Sequence, residues 1–308
     1  MRRRNSIPRR RNAGIALVIV LWLIALLSLL AVGQTATVRT ETLVTGNQVT
    51  AAQARAAAYG GIQLGLLELL RPSQARNWHA DGSVYPAELD GVALHISLAD
   101  ETGKVDLNFA SGPLLDALLR AAEVEDDVRI PLVDAILDWR DPDDLHRADG
   151  AEREAYAAAG LDYVPRNGPM QSTEELMLVL GMDAALYHTL ADSITVHSGN
   201  AVFNPTVVSG RVLQRMVQDG VTQGGTVGVH DDDGADAAPP AAAARGGAVG
   251  RVYTVRCTAQ MPDGVREQYE ALVRVTPARG TGAPLHEMLV WREGAGFDNA
   301  TGWNVEPE

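Results

Sequence analysis

The residues best suited to chemistry are a run of carboxylates, Asp134, Asp138, Asp141, Asp143 and Asp144. Asp134 and Asp138 stand four apart and share one helix face, with Asp141 three residues further on. Pro142 stops the helix at that point. Asp141, Asp143 and Asp144 therefore fall in a loop. Ca2+ takes six to eight oxygens from carboxylates, carbonyls and water, and loops supply that geometry. The expected metal ligands are Asp138, Asp141, Asp143 and Asp144, and Asp162 and Asn167 could be added by folding. The spacing is not that of an EF-hand, which needs Gly at loop position 6 and Glu at position 12. The alternative is a solvated acidic helix end.

Other chemistry finds little support. The seven histidines form no HExxH and no His-x-His pair. No GxSxG, P-loop or dinucleotide-binding glycine pattern is present, so an enzyme is not expected. Cys257 is the single cysteine, which excludes an intramolecular disulfide and suits a small buried hydrophobe on a strand. The net charge of −13 argues against general nucleic-acid binding, which needs clustered Lys and Arg.

The basic charge is concentrated at the start. Arg2, Arg3, Arg4, Arg9, Arg10 and Arg11 sit within the first 14 residues with no acid among them. Next comes Ile15 to Val32, 18 residues without a charge. At 1.5 Å per residue this run spans most of a hydrocarbon core of about 30 Å. One-sided arginines put the N-terminus in the cytoplasm and the remainder outside. Three readings remain open: a cleaved secretory signal, a plain signal anchor, and a prepilin-type signal cut after Gly14, before Ile15. The first would end in a small-residue site, and only a weak one exists near Ala36.

The elements that must position the carboxylates follow. Residues 34–70 read as a helix with a stripe of Val38, Leu43, Val49, Ala52, Ala56, Tyr59, Ile62, Leu66 and Leu69. Residues 73–90 read as loop, 91–99 as a strand and 100–108 as a turn. Between 111 and 192 helical stripes dominate. Ser172 with Glu175 forms a capping box, Gly181 closes that helix, and Asp183 caps the next. This all-helical segment lies between strands and reads as an insertion. A short strand (194–199), a helix (206–218) and a flexible loop (219–250) come next. A hairpin of 252–260 with 267–276 and a last strand (286–294) complete the chain. The stretch STEELMLVLGMDAALYHTLADS suggests a SAM-like or helix-hairpin-helix fold. Its acidic neighbours Glu174, Glu175, Asp183 and Asp192 would repel phosphate, so it reads as scaffold.

Several blocks together resemble the protein K family of the type II (general) secretion system, the minor pseudopilins. They are GIALVIVLWLIALLSLLA, DETGKVDLN, LVDAILDWRDPDD, YVPRNGPMQSTEELMLVLGM, LADSITVHSG and LVWREG. The resemblance covers nearly the whole chain and implies an α+β fold. A pilin-like long N-terminal helix would pack on an antiparallel sheet, with a large inserted all-α (SAM-like) domain. The divisions would be a leader (1–14), a transmembrane helix (15–33), pilin helix and first strand (34–108), helical insertion (109–193) and the remaining head (194–308).

The prepilin peptidase would cut after Gly14 and N-methylate Ile15. The head would be periplasmic on a single-pass inner-membrane anchor. The implied partners are minor pseudopilins I and J, other pseudopilins, the peptidase and the lipid bilayer. The implied role is to prime, at its tip, a pseudopilus that helps export folded proteins across the outer membrane. Calcium in the helical domain is also a family property. Most pseudopilins carry Glu at the fifth mature position, whereas here it is Ile19, which fits a subunit with no neighbour above it. A type IV pilus minor pilin and a signal-anchored periplasmic hydrolase are the alternatives.

Overall fold

The computed structural model describes residues 13–221, 250–276 and 285–294. The expected leader, apart from Ala13 and Gly14, and residues 222–249 of the expected flexible loop lie outside them. The chain divides into two compact units, Met1–Gln53 and Ala54–Glu308.

Helix α1, Ala13–Leu70, runs through the first unit and into the second. Gly14 and Ile15 have helical backbone. From residue 16 to 29 every side chain is exposed, including Trp22 at 73% and Leu17 at 65%. Among the described residues, no helix is long and apolar enough to cross a membrane. Side chains are described for 16–29 of this stretch, and the uncharged run Ile15–Val32 reaches past them at both ends.

In the second unit, residues 54–70 of α1 lie on a five-stranded antiparallel sheet of order β1-β2-β5-β6-β7. The strands are β1 (Asp81–Leu89), β2 (Val92–Asp100), β5 (Val252–Gln260), β6 (Arg266–Val275) and β7 (His286–Glu293). The buried helix face is Ala54, Ala57, Ala58, Ile62, Leu66 and Leu69. Ile62, Leu66 and Leu69 of the expected stripe are buried in it, whereas Val49, Ala52, Ala56 and Tyr59 are exposed, and the side chains of Val38 and Leu43 lie outside those described. Small residues explain the difference. A Cβ on Gly61 would sit 2.1 Å from Cys257 Sγ, and one on Gly65 would sit 2.6 Å from Val255 Cγ1. The sheet therefore closes against an Ala/Gly seam that a search for large side chains overlooks.

Strand β1 occupies Asp81–Leu89 of the expected loop over 73–90. Asp90 and Gly91 both have positive φ (52° and 80°), the geometry of a two-residue hairpin turn, and Leu89 pairs with Val92 across it. Pro86 is tolerated because β1 is an edge strand. The expected 252–276 hairpin is present, with Cys257 opposite Tyr269.

A second apolar core gathers the helical segment. It joins α2 (Gly112–Ala121), α3 (Asp126–Arg140), α4 (Arg153–Ala158), α5 (Ala184–Leu190) and α6 (Arg211–Gln218). The short parallel pair β3 (Val105–Asp106) and β4 (Ile194–Thr195) stitches its two ends together. Leu115, Leu118, Leu132, Ile136, Tyr156 and Leu213 are almost fully buried there. The expected helix after Ser172 is a 3-10 turn, Thr173–Leu178, and Ser172 makes no side-chain cap. Glu175 instead accepts the Gln171 N–H at 2.8 Å and pairs with Arg166. Asp183 caps α5 as expected, accepting the Leu186 N–H at 2.7 Å.

Charged side chains join the two cores. Buried Lys104 meets buried Glu101 at 2.6 Å, and Thr254 donates to the same carboxylate. Arg256 bridges Glu270 at 2.6 Å and Asp192 at 3.1 Å, while Arg292 bridges Glu270 and Glu174.

Candidate metal site in the acidic loop

Helix α3 ends at Arg140, and Asp141 follows with extended backbone before Pro142. The helix delivers Asp134 and Asp138 on one side. The chain then loops through 142–150 and returns at Glu152, which sits at the N-cap position of α4. Asn167 closes the loop from a third segment. Its backbone N–H donates to Trp139 O at 3.1 Å, and its side-chain amide donates to Asp143 O and Asp144 Oδ1, both at 2.9 Å. Its φ of 51° is a left-handed conformation that Asn tolerates better than most residues. Trp139, Tyr156 and Tyr163 form an aromatic floor, with ring centres 5.7–6.5 Å apart.

Asp138 is fully buried. Its carboxylate accepts the backbone N–H groups of Arg147 (3.1 Å) and Ala151 (3.0 Å). Gly150 makes this possible, since a Cβ there would fall 2.0 Å from Asp138 Oδ2. Asp141 is less buried. Asp143 and Asp144 lie exposed on the rim, where Asp143 accepts the Leu145 N–H at 2.9 Å. Asp162 is exposed. Asp134 holds the loop from below, accepting the Asp149 N–H at 3.1 Å.

Unpartnered oxygens set this cluster apart. Asp141 Oδ1, both carboxylate oxygens of Glu152 and Asn167 Oδ1 are buried without a hydrogen-bond partner. Glu152 is only 6% exposed. Buried polar atoms are nearly always satisfied, so four orphans in one place call for a cause. The proton affinities agree. Burial raises Asp138 above the usual carboxylate range, against the pull of two N–H donors and Arg147. Burial and the charges of Asp143 and Asp138 raise Asp141. Burial, then the charges of Asp138, Asp141, Asp144 and Asp143, push Glu152 up to about 7.

The donor set is all oxygen, which suits a hard divalent cation. Among the described residues, no three His, Cys, Asp or Glu side chains already stand together in metal-holding geometry. The hydrogen bonds explain why. Asp143 and Asp144 are turned to loop donors, and the Arg147 guanidinium lies 3.4 Å from Asp138 Oδ1 and 3.6 Å from Asp141 Oδ2. The structure brings Asp138, Asp141, Asp143, Asp144 and Asn167, all singled out from the sequence, to one loop, and adds Glu152, which was not singled out. The available signal was an acid just before a helix start, at the return of an acidic loop.

Elsewhere, Cys257 is fully buried in the helix–sheet seam, and burial pushes its thiol up to about 12. That environment suits packing and opposes nucleophilic chemistry.

These features define a mixed helix and antiparallel-sheet protein with a second, helical core and an under-compensated carboxylate loop. Residues 96–199 match the family model described as "Type II secretion system (T2SS), protein K". The chain is 31% identical over 209 residues to type II secretion system protein K of Aeromonas hydrophila, covering 59% of this chain and 62% of that protein. It is 31% identical over 199 residues to protein K of Klebsiella pneumoniae, covering 58% and 61%. The chain thus spans about three fifths of the length of these relatives. Its fold matches a chain of the crystal structure of the GspK-GspI-GspJ complex from enterotoxigenic Escherichia coli. That match has a TM-score of 0.53 and 16% identity, and covers 83% of this chain and 99% of that one. The chain is thus similar to type II secretion system protein K, with residues 96–199 matching its family model.

Proposed function

We propose that this chain is a minor pseudopilin that primes the tip of a type II secretion pseudopilus together with subunits I and J. The observation that carries this reading is the protein K match over 96–199, set on a fold shared with a chain of the GspK-GspI-GspJ complex. In this reading α1 is the pilin-like helix and the 111–192 helices are an inserted SAM-like domain. Ile15–Val32 is the inner-membrane anchor, because 18 uncharged residues follow six arginines. The prepilin peptidase cuts after Gly14 and methylates Ile15. The head then lies in the periplasm and assists export of folded proteins across the outer membrane.

Intact-mass analysis of the membrane-extracted protein, with and without the prepilin peptidase, tests this. Cleavage after Gly14 with a methylated Ile15, dependent on that enzyme, is expected. A cut near Ala36 or an intact leader overturns the pseudopilin reading.

The acidic loop fits Ca2+ within the same reading. Asp138, Asp141, Glu152 and the Asn167 side-chain oxygen would hold the ion, with Asp143 and Asp144 as rim carboxylates. The ion would supply two positive charges and fix the loop between α3 and α4, a structural role.

A further inference from the structure

The cluster contains one cation of its own. Arg147 leaves the loop and lays its guanidinium over Asp138 and Asp141, within ion-pair distance of both carboxylates. The contact is loose. Its distances of 3.4 and 3.6 Å exceed the roughly 2.7–2.9 Å of a charge-assisted hydrogen bond, and the side chain is 46% exposed. Arg147 therefore lowers the repulsion among the carboxylates without satisfying Asp141 Oδ1 or either oxygen of Glu152. A divalent ion would approach the same oxygens to about 2.3–2.6 Å and bring twice the charge. Two cations cannot share this small set of oxygens without repelling each other.

We infer that Arg147 is a built-in counter-cation, which steadies the ion-free loop and must swing out to solvent when a divalent cation binds. This rests on the cation-site reading above and adds to it. Arg147 sets the affinity by competition, and the loop exchanges one compensated state for another. The exposure of the guanidinium gives it room to leave. Its backbone N–H remains on Asp138, so the loop itself need not open.

Calcium binding by the full chain in detergent, measured by titration calorimetry after chelator treatment, tests the inference. Arg147→Gln should bind Ca2+ about tenfold more tightly than wild type and melt at a lower temperature in chelator. Arg147→Lys keeps a charge and should stay near wild type. Arg120→Gln removes an equal charge from an exposed pair with Asp116 and should not change the affinity. If Arg147→Gln does not fold without the ion, the wild-type Arg147 Nε–H resonance gives the second readout. It should move on calcium addition, and an unmoved resonance contradicts displacement. Wild type binding Ca2+, Glu152→Gln failing to bind, and Arg147→Gln binding no more tightly than wild type would overturn the inference and leave the site standing. No binding by wild type would overturn both.

Discussion

Glu101 and Glu270, between the sheet and the helical core, are as buried as Glu152 in the acidic loop, all at 6% exposure or less. Protons treat them in opposite ways. Burial alone would raise all three. At Glu101 the charge and hydrogen bond of Lys104 outweigh it, and at Glu270 the charge of Arg256 does, so both fall below the ordinary range. At Glu152 no such partner is placed, and four aspartates add to the burial. The same side chain is thus a finished structural element in one layer and an unfinished one in the other. What differs is whether the protein supplies the compensating cation itself. The sheet-side layer carries its own. The loop carries one loose arginine and is completed, in the proposed reading, from solution.

The largest expected effect breaks the finished layer. Lys104→Met leaves Glu101 buried and uncompensated, and urea unfolding should show a loss of about 3–5 kcal/mol. Next, Gly150→Ala drives a methyl group into the Asp138 carboxylate, and the same assay should show a loss of about 1–3 kcal/mol. Glu152→Gln sharpens the comparison, because removing this charge should stabilise the ion-free protein by about 1–3 kcal/mol at pH 8.

The pH dependence follows from the directions of the shifts. A raised carboxylate binds protons more tightly when folded. Its stabilising contribution is therefore present at low pH and fades as pH rises from about 4.5 to about 7. The advantage of Glu152→Gln over wild type should grow over that window and vanish below it. Glu101 and Glu270 are depressed, so their contribution is present above about 4.5 and is lost as pH falls further. Thermal melts of both proteins across pH read the two signs separately. The smallest effect is at the surface. Arg274 and Glu287 are 41% and 56% exposed, and Arg274→Gln should change stability by about 0.5 kcal/mol or less.

Much of the fold was legible where local chemistry decides it. Pro142 marked the end of α3, Asp183 the start of α5, alternating Val92, Leu94, Ile96 and Leu98 gave β2, and the turn at Pro262, Asp263 and Gly264 marked the β5–β6 hairpin. Where partners distant in sequence decide, legibility failed. The buried face of α1 adds Ala54, Ala57, Ala58, Gly61 and Gly65 to the legible Ile62, Leu66 and Leu69, and the glycines meet Cys257 and Val255, which lie some 190 residues away in sequence. Strand β1 was hidden by Gly82 and Pro86, although Asp90-Gly91 announced its turn. The 3-10 turn after Ser172 escaped the capping rule because Glu175 is claimed by Arg166. At the site, consecutive aspartates were visible, but the orphaned Glu152 became meaningful only once the loop returned it to Asp138 and Asp141.

The most direct test is the melting temperature of chelator-treated full-length protein and its Glu152→Gln variant on adding Ca2+. At about 100 times Kd, binding contributes about 2.7 kcal/mol, which should raise the wild-type midpoint by about 5–10 °C. The variant should move by about 1 °C or less. An unmoved wild type, or equal shifts in the two proteins, would contradict the claim that the acidic loop is completed by a cation through Glu152.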